Sequence, residues 1–357
     1  MRLKLEKKAH SGLRIVPLTL MIAVPVLLAG AVLFAAVGAD PLAAYAVMLQ
    51  GALGNWFNCS EVLVKAIPLM LTGLAVAVAA RMQLWNIGCE GQLVCGGIFA
   101  AGFALYAADA LPAPAVIPIL ILAGFAGGAL WALIPALLKA RWNVNEIIST
   151  LMFNYVAVIL MQHLYFGPWR DPMGRGFPGT AMFVRPAWLP RFFHTRIHLG
   201  LFIALGAALL LYYSLGHTTW GYRVKVIGLS PQAARYANFD AGRQQIAVLL
   251  ISGGLAGLAG MGEVCGIHLR LQQGLAVGYG YDGIIVAFLA YLNPLAVPLV
   301  AFLLAGLIVG GEQLQAVAHL PASISMVLEG CLLLTILAAT VFSTHRMRIV
   351  RDDEKGP

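Results

Sequence analysis

Long apolar stretches alternate with short polar ones along nearly the whole chain. Runs suited to helices lie at about 15–39, 61–80, 89–109, 113–138, 146–166, 199–216, 246–267, 283–292, 295–312 and 322–342. Most approach the twenty or so residues that a helix needs to cross the hydrocarbon core of a bilayer, and the eighth is short. The pattern predicts an all-α integral membrane protein of about ten transmembrane helices. It would have an N-terminal segment at 1–14, a membrane body at 15–342 and a tail at 343–357. The first run follows Arg2, Lys4, Lys7, Lys8 and Arg14, and Val37-Gly38-Ala39 looks like a cleavage site. The run is too long for the apolar part of a secretory signal, and more spans follow, so it reads as an uncleaved first helix.

Composition agrees with lipid as the solvent. Of 357 residues, 61% are apolar and 11% charged, against about a quarter charged in soluble domains, and mean hydropathy is +0.85. A net charge of +8 hints at nucleic acid, but no basic stripe interleaved with aromatics exists to hold one. The cations instead cluster between spans. With a cytoplasmic N-terminus, ten spans place Arg81, Lys139, Arg141, Arg223, Lys225, Arg235, Arg243, Arg346, Arg348, Arg351 and Lys355 inside, as the positive-inside rule expects. Both termini would then be cytoplasmic. The misfit is an outer loop at about 167–198 with Arg170, Arg175, Arg185, Arg191 and Arg196, expected to lie on the surface and meet a partner or lipid headgroups. Five spans per half imply that two related halves would form a 5+5 inverted repeat, a recurrent transporter device.

The five cysteines and eight histidines are scattered, without C-x-x-C, H-E-x-x-H or zinc-ligand spacing, so no metal site is expected. Glu90, Glu146, Glu263, Glu312 and Glu329 fall in or beside spans, where a carboxylate must face water or a partner. Glu146, Thr150 and Asn154 recur every four residues on one helical stripe, with Asn145 and Ser149 alongside. Such a stripe either glues helices or lines a route for a polar solute, and Glu146 is the harder to explain as glue. Two glycine-rich breaks, Asn86-Ile87-Gly88-Cys89-Glu90-Gly91-Gln92 and Gly278-Tyr279-Gly280-Tyr281-Asp282-Gly283, each place an acid at a helix start. Glu90 and Asp282 there serve as caps or as solute contacts. The candidate path is therefore Asn86, Glu90, Gln92, Asn145, Glu146, Thr150, Asn154, Glu263, Tyr281 and Asp282. Gly253, Gly254, Gly257, Gly260 and Gly262 have the spacing of a close-packing face.

Between the sixth and seventh runs, within about 217–245, Ser230 and Pro231 fit the cap and first position of a short helix, with Arg235 and Tyr236 turned outward. The wording from Gly221 to Ala237 resembles the signature loop of ATP-binding cassette (ABC) importer permeases of the branched-chain amino acid and simple-sugar class. So do Asn86 to Gln92, Asn145 to Met152 with Asn154-Tyr155, Gly260 to Gly266, and Tyr279 to Gly283, all in the family's order. Asn-Glu-Ile-Ile-Ser-Thr is similar to the nucleoside-importing subgroup. Two departures stand out: Cys89 replaces the commoner small residue, and Tyr291-Leu292-Asn293-Pro294 lacks the usual Gly-Arg before Asn-Pro.

The resemblance implies a type II ABC importer-like permease in a bacterial plasma membrane. Gly228, Ser230, Pro231, Ala233, Ala234, Arg235 and Tyr236 would form a coupling helix that docks on an ATPase. Implied partners are a related second permease chain, the ATPase and an extracytoplasmic binding protein, with lipid around them and no nucleic acid. The chain lacks G-x-x-x-x-G-K-[ST], so ATP and Mg would bind the ATPase, with no cofactor on this chain. Nucleosides are the leading solute, simple sugars of the ribose or galactose type the alternative. A proton-coupled secondary transporter using Glu146 or Glu263 is the rival from another class; it leaves the 221–237 segment unexplained.

Overall fold

The computed structural model describes residues 2–7, 15–174, 176–318 and 323–350. It is nearly all helix. The helices are α1 (Ile15–Ala36), α2 (Pro41–Leu53), α3 (Trp56–Ala80), α4 (Cys89–Tyr106), α5 (Ala113–Trp142), α6 (Glu146–Phe166), α7 (Gly200–His217), α8 (Thr219–Leu229), α9 (Pro231–Tyr236), α10 (Ala241–Gly262), α11 (Tyr279–Leu289), α12 (Val297–Ala318) and α13 (Ser323–Thr344). The only strands among the described residues are Arg2–Lys7 and His345–Val350, paired antiparallel.

Seven helices among the described residues are long and apolar enough to cross a membrane: α3, α4, α5, α6, α7, α10 with its continuation to His268, and α12. An eighth is counted if Val24–Ala36 and Pro41–Leu53, bent by 114°, form one span. The exact count of ten is not confirmed among the described residues, although α1 and α13 are also apolar helices of 22 residues each. The run at 283–292 belongs to α11, whose 11 residues rise about 17 Å, little more than half of a 30 Å core.

The chain divides into two compact units, 1–54 with 307–357, and 55–306. In the first, Phe34, Ala44, Met48, Leu314, Ile324 and Leu328 form the core. Tyr45 donates to the Leu27 carbonyl at 2.7 Å and meets Phe34 edge-on at 5.2 Å.

In the second unit α10 is the central element, packed against α3, α4 and α5. Its glycines make this possible, as the spacing predicts. A Cβ on Gly257 would strike the Gly124 carbonyl and the Gly128 backbone, and one on Gly260 would strike the Leu93 carbonyl. No side chain can move aside there, so bare backbone is a condition of the contact. After Gly262 the helix loosens into a π turn, Glu263–His268, which ends at Leu269 in the left-handed region, φ 58°.

The outer loop runs along this loosened segment. The N–H groups of Leu189, Phe183 and Thr180 donate to the carbonyls of Cys265, Leu269 and Leu271 at 3.0, 2.9 and 2.8 Å. Arg191 donates to the Gly266 carbonyl at 3.0 Å, and Arg196 pairs with Glu61. These two arginines bind the chain itself, where the sequence suggested a partner or lipid: Arg191 meets a carbonyl that the helix unwinding leaves in need of a donor, and Arg196 meets the Glu61 carboxylate.

Candidate functional site

The path residues predicted from sequence fall into three places. Asn86, Glu90, Gln92, Asn154 and Tyr281 come together, joined by Thr72 and Ser252. Asn86 and Gln92 face each other amide to amide, each donating to the other at 2.8 and 3.0 Å. Asn86 also donates to Ser252 Oγ at 2.7 Å, and Ser252 donates on to the Ala75 carbonyl at 2.6 Å. Asn154 accepts from the Gly91 N–H at 2.8 Å and donates to the Ile87 carbonyl at 2.8 Å and to Tyr281 Oη at 3.1 Å. Five helices, α3, α4, α6, α10 and α11, thus share one hydrogen-bonded core. Asn86, Gln92, Asn154 and Ser252 are all buried, and these bonds pair their polar groups within the protein.

Glu90 has a more specific task. Its Oε1 accepts the Gly278 N–H at 2.9 Å and Oε2 the Gly280 N–H at 2.6 Å. It is a cap, as the helix-start position suggests, but for α11 and not for its own helix. Gly278, at φ 106°, supplies the left-handed turn that aims those N–H groups at the carboxylate. Gly280 lies directly on the Glu90 backbone, with no room for a Cβ. Thr72 completes the clamp by donating to the Tyr279 carbonyl at 2.9 Å. Asp282 sits in the same first turn of α11.

The second place is the start of α6. Asn145 caps it by accepting the Ile147 N–H at 2.9 Å, Glu146 pairs with Lys139 at 2.9 Å, and Thr150 donates to the Glu146 carbonyl at 2.6 Å. Glu146 therefore has a countercharge within the fold, seven residues before it on the end of α5. The third place is the π turn, where Glu263 lies 3.8 Å from His268. Nearby, His198 is wholly buried. Its Nδ1 accepts the Gly200 N–H at 3.1 Å, and its ring packs on Gly266. Burial, aided by the Arg191 charge, lowers its pKa to about 4, so the ring is neutral.

The predicted coupling residues form a separate surface. Ser230 accepts the Ala233 N–H at 3.3 Å, and Pro231 opens α9, as expected. The sequence missed α8 before it, where Thr218 provides the cap for the Gly221 N–H at 3.2 Å. Ala234 and Gly228 turn inward, Ala234 into a core with Met82, Leu84, Val224, Ile227 and Leu249. Arg235 and Tyr236 turn outward, Tyr236 being 93% exposed. Thr72, Ser252 and Arg81 were also missed. A lone hydroxyl in an apolar run carries no positional signal, and Arg81 was read only as an orientation charge.

The family described as branched-chain amino acid transport system / permease component matches residues 58–337, which includes the polar core, the start of α6, the π turn and α8–α9. The chain belongs to this permease family. Relatives agree over most of their length. The glucose ABC transporter permease protein TsgB13 of Haloferax volcanii is 34% identical, covering 90% of this chain and 87% of its own. The guanosine ABC transporter permease protein NupP of Bacillus subtilis is 31% identical over 91% and 92%. The nucleoside ABC transporter permease protein NupB of Lactococcus lactis is 30% identical over 77% and 78%. Bacillus subtilis and Lactococcus lactis each hold a second match, NupQ and NupC. The permease is thus a multi-pass membrane protein and a transport component, not an enzyme.

Proposed function

We propose that this permease forms half of the path of an ABC importer for nucleosides in a bacterial plasma membrane, with both termini cytoplasmic. An extracytoplasmic binding protein delivers the solute, and a separate ATPase binds ATP with Mg. A related second permease chain completes the path, a reading supported by the paired matches in two organisms. The observation that carries the proposal is the α8–α9 surface. It is a capped two-helix segment rooted in the core through Ala234 and Ile227, with Arg235 and Tyr236 free to meet a partner.

ATP binding would draw the ATPases together and displace α8–α9, shifting the population between outward-open and inward-open states. The experiment is co-purification of the tagged permease with the ATPase, comparing wild type with Arg235→Glu and Tyr236→Ala. These positions are exposed, whereas Ala234 is buried, so the two variants probe docking without disturbing the core. Loss of the ATPase from both variants with normal permease yield supports the proposal. Retention in both refutes docking at α9.

Simple sugars are the second reading for the solute, favoured by the 34% identity to a protein named for glucose. Competition decides between them: excess adenosine should block uptake of labelled guanosine, and excess glucose or ribose should not.

A further inference from the structure

The turn between α3 and α4 does two jobs at once. Arg81 reaches across to the end of α11, where its Nε and Nη2 donate to the Leu292 carbonyl at 3.3 and 3.0 Å. That carbonyl belongs to a turn with two consecutive left-handed residues, Tyr291 at φ 52° and Leu292 at φ 56°. Non-glycine residues hold such angles only where surrounding contacts impose them. Beside Arg81, Trp85 stacks on Phe288 in the last turn of α11, with ring centroids 5.4 Å apart and planes 16° from parallel.

The same turn is the floor of α8–α9. Gly228 lies on the Arg81 backbone so closely that a Cβ would come within 2.6 Å of the Arg81 carbonyl and 3.0 Å of Met82 Cα. Met82 and Leu84 share their buried cluster with Val224, Ile227 and Ala234. A displacement of α8 therefore meets the backbone of the residue whose side chain holds α11. The far end of α11 is fixed to α4 and α3 by Glu90 and Thr72. This short helix is gripped at both ends, and one grip stands directly on the proposed docking segment.

We infer that Arg81, with Trp85 beside it, is a positioning residue that passes movement of α8–α9 to α11. Two N–H donors on one carbonyl fix the direction of the contact as well as its length, so the turn at Leu292 follows the guanidinium. The inference rests on the reading of α8–α9 as the ATPase docking segment.

The test reconstitutes the complete transporter, with its ATPase, second permease and binding protein, in proteoliposomes and measures uptake and ATP hydrolysis in the same vesicles. Arg81→Met keeps the aliphatic stem and removes both donors. It should leave assembly and hydrolysis within about twofold of wild type while uptake per ATP falls about tenfold, the scale on which residues between coupled sites modulate coupling. Arg81→Lys restores one donor and should recover part of the ratio, which a merely structural role would not predict. If Arg81→Met accumulates poorly, Trp85→Leu replaces it, since Trp85 is 44% exposed, and the ratio should again fall. An unchanged ratio in these variants, or a proportional fall of uptake and hydrolysis, overturns the relay and leaves the docking reading intact. A wild-type complex that shows no ATP-dependent uptake overturns the docking reading and the relay with it.

Discussion

Replacing Glu90 by Gln tests whether this carboxylate is a cap. In the native chain its two oxygens accept the Gly278 and Gly280 N–H groups, at 2.9 and 2.6 Å, in a site 4% exposed. Glutamine has nearly the same shape but one accepting oxygen, so one N–H would face an amide that can only donate. A hydrogen bond to a charged group contributes about 1.5–3 kcal/mol, and a buried donor without a partner costs about 1–3 kcal/mol. The substitution should therefore destabilise the start of α11 by about 3 kcal/mol. Hydrogen exchange by mass spectrometry reads this locally: amides at 278–282 should exchange about 100-fold faster if they open through this turn. A melt followed with a thiol-reactive dye reads it globally, because Cys89, Cys95 and Cys265 are buried and free. The midpoint should fall by several degrees, at about 2 °C per kcal/mol for a chain larger than 150–250 residues. Wild-type exchange at 278–282 together with an unchanged midpoint would refute the cap.

Three further outcomes follow from the same geometry. His198 is held neutral with its pKa lowered to about 4. The unfolded chain, near 6.5, takes up a proton that the folded chain does not, so stability should fall from pH 6.5 down to about 4 by up to about 3 kcal/mol. In melts at pH 7.5 and pH 5, His198→Asn should lose that part of the dependence; an equal slope in both proteins would contradict it. Gly257→Ala should lower the midpoint or abolish accumulation, costing about 1–3 kcal/mol through overpacking against backbone, whereas Gly206→Ala, with nothing within 4 Å, should be neutral in the same melt. Asn154→Leu removes three hydrogen bonds and should destabilise the chain by about 3 kcal/mol; a wild-type midpoint with reduced uptake would instead return Asn154 to the solute path.

The helical class was legible because each apolar run must bury its backbone polar groups within itself, and nearly every run became a helix. Span number was less legible. The run at 283–292 counts as a span by hydropathy, but its helix is set by the glycine turn at Gly278 and by the left-handed turn at Tyr291, which leave it 11 residues. Helix α8 carries Arg223 and Lys225 in an otherwise mixed segment, so no run marks it. The start of α9 was legible from two residues, Ser230 and Pro231, since capping chemistry is local. In the polar core the stripe of Glu146, Thr150 and Asn154 showed in the four-residue spacing, but its partners did not. Asn154 bonds Gly91 and Tyr281, and Glu90 bonds Gly278 and Gly280, all distant in sequence, and nothing in a local pattern states which distant donors a side chain will meet. Glu146, the residue hardest to explain as glue, pairs with Lys139 on the preceding helix end.

The polar core also bears on how the path residues are to be read. Asn86, Gln92 and Asn154 are bonded to protein on each side, and Glu90 spends both oxygens on backbone. In this state of the molecule they hold helices in register. Their influence on a passing solute would come through the position of α11, which is the element that the Arg81 turn and the Glu90 cap both control.

What drives transport separates an ATP-dependent importer from a proton-coupled carrier. Inside-out and right-side-out vesicles carrying the permease with its ATPase, partner permease and binding protein should be loaded with ATP or with a pH gradient, and guanosine uptake followed. Uptake that requires ATP, disappears with Arg235→Glu and ignores an uncoupler is the predicted result. Uptake by the permease alone, driven by the pH gradient and indifferent to ATP, would contradict it.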